Sequence, residues 1–98
     1  MITSKQRAYL RGLANPVPAL YQVGKEGIQT NLINTLRDAL EARELIKIHA
    51  LLTCPYEPRE LCDKLCAALD AEGVQVIGRK IVLYKESRDN KQITLPRK

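Results

Sequence analysis

Ninety-eight residues, 45% of them hydrophobic, suffice for one compact domain with a single core and exclude both two domains and wholesale disorder. No apolar run approaches the roughly 20 residues of a bilayer span, and the N-terminus lacks a signal-peptide core, so a cytoplasmic protein without a membrane partner is expected. The formal net charge of +5 points to a polyanionic partner, although a basic surface kept for solubility explains that number nearly as well.

The distribution of charge says more. Residues 1–27 set Lys5, Arg7, Arg11 and Lys25 against Glu26, a net of +3. Residues 28–72 hold five basic and eight acidic groups, and residues 73–98 hold seven basic and two acidic groups. If the two ends meet in space, they form one basic face with an acidic back. The odd set Cys54, Cys62 and Cys66 fits a reducing compartment.

Thr3-Ser4-Lys5-Gln6 opens the chain with a capping-box pattern. Ala8, Tyr9, Leu10, Leu13 and Ala14 then recur at helical spacing up to Asn15-Pro16, where the residue before proline prefers an extended conformation. Arg7 and Arg11 share a face of this helix, and Lys5 adds charge one turn earlier. Ala19 to Val23 reads as a short strand, and Gly24-Lys25-Glu26-Gly27 as a tight turn. Ile28, Leu32, Leu36, Ala39 and Leu40 predict an amphipathic helix ending near Arg43.

Leu45 to Leu52 is the next strand, with Ile46, Ile48, Ala50 and Leu52 on one side and Lys47 and His49 on the other. Pro58 suits the first turn of a third helix, whose stripe is Leu61, Leu65, Ala68 and Leu69 and whose stop is Gly73. Val74–Ile77 and Lys80–Tyr84 flank Gly78-Arg79, the pattern of a type II′ hairpin. From Lys85 the chain is polar and basic, with Ile93 and Leu95 placed to dock as a short extra strand. The expected order is α-β-α-β-α-β-β, a small α/β fold. Its mixed four-stranded sheet has the first two strands parallel and is covered by helices.

The Gly24–Gly27 turn is the most suggestive constellation. Glycines let the backbone approach a ligand, the following helix offers free N–H groups, and Lys25 adds a mobile charge. Glu26 would repel a phosphate unless it points away. Phosphate contact and plain turn geometry stand level on this motif alone.

A nucleotide-binding enzyme fits poorly, because the third glycine of GxGxxG and the Gly-Lys-Ser/Thr ending are missing. Cys54, Cys62, Cys66 and His49 lack zinc-knuckle spacing, and the cysteines read as small core hydrophobes. Neither cofactor nor metal is expected. Tyr9, Tyr21, Tyr56 and Tyr84 are too dispersed for a base-stacking platform, which favours recognition of backbone and shape.

Several segments together resemble the YhbY-type CRM domain (chloroplast RNA splicing and ribosome maturation). They are Ser4–Arg7 through Leu10–Ala14, Val23–Gly27, Glu44–Ile48, Val76–Tyr84 and the closing Leu95-Pro96-Arg97-Lys98. The resemblance implies a fold like the C-terminal domain of translation initiation factor three, and RNA contact by a GxxG loop mapping onto Gly24, Lys25, Glu26 and Gly27. It further implies association of a bacterial stand-alone protein with precursors of the large ribosomal subunit.

The expectation is therefore a monomeric, non-enzymatic RNA-binding protein that acts in ribosome assembly on precursor rRNA. A single domain would span residues 1–85, with a basic tail over 86–98. Lys5, Arg7, Arg11, Lys47, Arg79, Lys80, Arg97 and Lys98 would extend the surface around the loop. Mutating Lys25 together with Gly27→Ala should then weaken RNA binding without unfolding the domain. The alternative is a protein-interaction module of the translation machinery that makes no RNA contact, its charge serving to steer association.

Overall fold

A computed structural model describes residues 2–97 of the chain. Its elements are α1 (Ser4–Ala14), β1 (Ala19–Val23), α2 (Thr30–Arg43), β2 (Leu45–Ala50), α3 (Pro58–Leu69), β3 (Glu72–Ile77) and β4 (Lys80–Tyr84). The strands lie in the order β1-β2-β4-β3, with β1 parallel to β2 and the remaining pairs antiparallel. This is the mixed sheet expected from the sequence.

Local chemistry accounts for most boundaries. The Thr3 hydroxyl accepts the Gln6 N–H at 3.1 Å, and the Gln6 side chain accepts the Thr3 N–H at 3.0 Å, completing the capping box. The buried stripe of α1 is Gln6, Leu10 and Ala14, while Tyr9 and Leu13 remain at the surface. Gly78 takes φ +57 in the two-residue connection from β3 to β4, as a glycine-first hairpin turn requires.

Two readings of the sequence are corrected. Leu52 lies beyond the end of β2 and is exposed, because the strand stops at Ala50. The stop of α3 is Asp70 at φ +55, a left-handed position that a short polar side chain tolerates. Gly73 instead belongs to β3, where an added Cβ would lie 3.0 Å from the Cys62 sulfur. Its lack of a side chain lets the strand pass close over α3.

Alternation along the strands builds two half-cores. Ile46, Ile48, Ala50, Ile81 and Leu83 meet Leu36 and Leu40 of α2 and Leu61 and Leu65 of α3 on one face. Leu45, Val74, Val82 and Tyr84 meet Leu10 and Ala14 of α1 on the other. Cys62 is buried in the first of these, as a small apolar side chain.

From Lys85 the backbone is irregular but fastened down. Buried Glu44 accepts the N–H groups of Ser87 (2.6 Å), Gln92 (2.6 Å) and Ile93 (2.7 Å). Glu41 accepts the Arg88 and Asp89 N–H groups and the Ser87 hydroxyl. Ile93 and Leu95 do dock, against the α1 half-core, but as irregular chain and not as the extra strand expected.

Candidate nucleic-acid interface

The Gly24–Gly27 turn closes through the Gly27 N–H, which donates to the Gly24 carbonyl at 3.0 Å. Gly27 needs its glycine: φ is +66, the residue is buried, and an added Cβ would meet Pro55 at 3.2 Å and Tyr56 at 3.4 Å. Gly27→Ala would therefore strain the fold, which corrects the expectation that it tests binding alone. Gly24 has ordinary space around it, with Leu51 at 3.4 Å from an added Cβ.

Lys25 is exposed at the tip. Glu26 turns back towards the start of α2, where its carboxylate accepts the Gln29 side-chain N–H at 3.2 Å. A negative charge there complements the helix dipole. Gln29 caps α2 without a side-chain bond to its first N–H groups.

Three loops share this end of the sheet. The Leu51 N–H donates to the Val23 carbonyl at 2.9 Å, and the Ala50 N–H donates to the Arg79 carbonyl at 2.8 Å. The Arg79 guanidinium donates to the carbonyls of Ala50 (2.7 Å) and Leu51 (2.8 Å). Arg79 thus braces the exit of β2 directly beside the glycine turn, with part of its donor set already used.

Beside these loops, part of one sheet face is open. Leu45, Val82 and Tyr84 lie under α1, so alternation puts Lys47, His49 and Lys80 on that same face. His49 pairs with Gln22 on one side and Lys80 on the other, and Lys80 pairs with Ile77. Leu20 is 55% exposed and Ile77 62%, so α1 leaves this end of the face uncovered. The result is a shallow shelf of cations, amide and aliphatic groups running up to the Lys25 turn.

The other sequence candidates lie elsewhere. Arg7 and Arg11 line a groove at the outer edge of β3 together with Arg59 of α3. Lys5 precedes Arg7 by about 200° of helical rotation, so it flanks the buried stripe from the opposite side. Arg97 follows Pro96, whose carbonyl accepts the Gln6 side chain at 2.9 Å, so it sits by the first turn of α1, away from the glycine turn. Lys98 falls outside the described residues.

Leu20, Gln22, Ile77 and Arg59 escaped the sequence reading. Nothing in a linear pattern shows which half of a sheet face a short helix leaves bare.

The tyrosines do not assemble. Tyr84 is buried in the α1 half-core, and burial, with Glu44 and Glu86 nearby, pushes its hydroxyl up to about 12. Tyr56 lies under the Lys64 ammonium, 5.1 Å from the ring centre. Among the described residues, no group of three or more His, Cys, Asp or Glu is placed to hold a metal ion, and no helix is long and apolar enough to cross a membrane.

Comparison with known proteins agrees with this architecture. A protein of Bacillus subtilis named "Probable RNA-binding protein YqeI" is 45% identical over 96 residues, covering 98% of this chain and all of that one. An "RNA-binding protein" of Haemophilus influenzae is 30% identical over 97 residues, covering 99% of this chain and 97% of its own length. The solution structure of SAV1595 from Staphylococcus aureus superposes with a TM-score of 0.82 at 48% identity, covering 98% of this chain and 100% of that one. The family model of the CRS1 / YhbY (CRM) domain matches residues 2–85, and the chain belongs to that family.

Proposed function

We propose that the protein binds RNA through the open half of its sheet and the adjoining glycine turn, and that its ligand is precursor rRNA of the large ribosomal subunit during assembly. The observation that carries this reading is the meeting of Lys25, Arg79, Lys80, Lys47 and His49 at one end of one sheet face. The acid-rich segment 28–72 builds α2 and α3, which cover the opposite face. The open sheet face, with Lys47 and His49 of that same segment among its cations, suits a polyanion approaching from one side. Relatives named as RNA-binding proteins support the same ligand class.

Lys25 and Lys80 supply point charges for phosphates. Leu20 and Ile77 offer apolar contact to sugars or bases, and His49 stands between them. With no cluster of aromatic side chains on the shelf, the contact reads backbone and shape in preference to sequence. Binding, without catalysis, is the activity assigned, and the protein acts as a monomer in the cytoplasm.

The test is retention of labelled large-subunit rRNA fragments on filters over a range of salt. The wild type should show a steep loss of affinity as salt rises. Lys25→Ala with Lys80→Ala should flatten the logarithmic slope by roughly 0.7–0.9 for each phosphate no longer neutralised. No retention at low salt would discard the reading in favour of a protein partner. For the ligand itself, crosslinking in cells followed by sequencing should recover large-subunit precursor rRNA, and recovery of unrelated RNA would remove the ribosomal assignment.

A further inference from the structure

The groove beside β3 is a separate feature from the shelf and the glycine turn. It encloses about 470 Å³ and is lined by Arg7, Arg11, Arg59 and the stretch Gly73–Val76. Two of the arginines come from α1 on one face of the sheet, and the third comes from α3 on the other. Segments 48 residues apart in sequence thus bring cations to the same recess.

Among the described residues, no carboxylate lines it. Arg7 reaches Glu72 at 3.9 Å, but among the described residues no acid lies within ion-pair distance of Arg11 or Arg59. Arg59 also stands in the first turn of α3, where a cation meets the positive end of the helix dipole. Three like charges that share, among the described residues, a single carboxylate within ion-pair distance favour a bound anion. Arg7 is already held in place, since its Nε–H donates to the Gly73 carbonyl at 3.0 Å.

An added peptide strand suits this edge poorly. The register of β3 shifts between Gly73 and Gln75, and the Arg7 side chain occupies one of the edge carbonyls. Bulges and charged side chains are the usual means of blocking strand addition. Guanidinium forks match the oxygens of a phosphate instead.

We propose that this three-arginine groove binds a backbone phosphate of the RNA, as a second anchor on the sheet edge opposite the glycine turn. The proposal rests on the RNA-binding reading. With β2 and β4 between the two edges, the anchors stand at least about 14 Å apart, three strand spacings. One RNA segment lying across the open shelf would engage both.

The experiment compares Arg59→Gln, Arg11→Gln and wild type in filter binding to the same rRNA fragment over a range of salt. Arg37→Gln, on the exposed side of α2, controls for loss of one positive charge. Arg59→Gln and Arg11→Gln should each weaken binding about five- to tenfold and flatten the salt slope by roughly 0.7–0.9. Arg37→Gln should change neither. Thermal unfolding of each variant verifies that the fold persists.

Wild-type affinity and slope in both groove variants would overturn the second anchor while leaving RNA binding in place. A loss no larger than that of Arg37→Gln would overturn it as well. Failure of the wild type to retain RNA would instead bring down the underlying reading and this inference with it.

Discussion

Glu44 occupies a backbone conformation that suits glycine better, with φ +66 at the end of α2, and it is fully buried. A carboxylate in that place is explained by its three N–H donors from the C-terminal segment. Burial by itself would raise its carboxyl, but those bonds and nearby Lys91 outweigh it and hold the group below the usual carboxylate range. The backbone N–H groups of Arg88 and Asp89, with the Ser87 hydroxyl, hold Glu41 down at about 2.

Both acids are more acidic folded than unfolded. The contribution of each is therefore complete above the ordinary carboxylate value of 4.5 and is lost as pH falls through its lowered folded value, which for Glu41 is about 2. Protection factors of the Ser87, Gln92 and Ile93 amides, corrected for the intrinsic pH dependence of amide exchange, should fall as pH drops below 4.5 while those of β4 persist. Glu44→Gln should weaken this acid dependence and cost about 1–3 kcal/mol in urea unfolding, since charge-assisted bonds are removed inside the protein. Gly27→Ala should cost at least about 1–2 kcal/mol by the same measurement, from its left-handed φ alone. None of Glu44's role was legible in the sequence, because its donors lie 43 to 49 residues away.

Elements were readable where their determinants are local. The capping box of α1 and the hairpin of β3 and β4 rest on residues within a few positions of each other, and both form as expected. Gly73 misled because a glycine after a helix resembles a stop, whereas its function is a close approach between layers. Adding a methyl group there should push β3 off the Cys62 and Cys66 sulfurs. Gly73→Ala should therefore lower stability by about 1–3 kcal/mol, and Asp70→Gly, which relieves a left-handed residue, should be neutral or slightly stabilising. Thermal melts of the two variants check the contrast; equal destabilisation by both would return the role of stop to Gly73.

For the whole molecule, the charge pattern along the chain does not reveal where on the surface the cations gather. Lys47 and Lys80 share the shelf with the glycine turn, Arg7 and Arg11 look onto the far edge, and Lys5 and Arg97 lie apart from both. Those separations depend on the angle and length of α1, which no periodicity reveals. Residues 86–97 likewise read as a polar tail, yet they shield Leu10, Val82 and Tyr84 and supply the donors of two carboxylates. Deleting residues 86–98 should lower stability by about 2–4 kcal/mol, from the loss of apolar cover and of these hydrogen bonds together. An unchanged urea midpoint would show that the segment contributes nothing to folding.

The bond from the Gln6 amide to the Pro96 carbonyl has an architectural consequence. It brings the first helical turn and the closing residues to the same spot on the surface, so entry and exit lie side by side. Such a unit can be spliced into a loop of a host polypeptide, or strung nose to tail, with linkers of a few residues and no rearrangement inside. A circular permutant joined at that spot and reopened at exposed Leu52 should keep the same sheet.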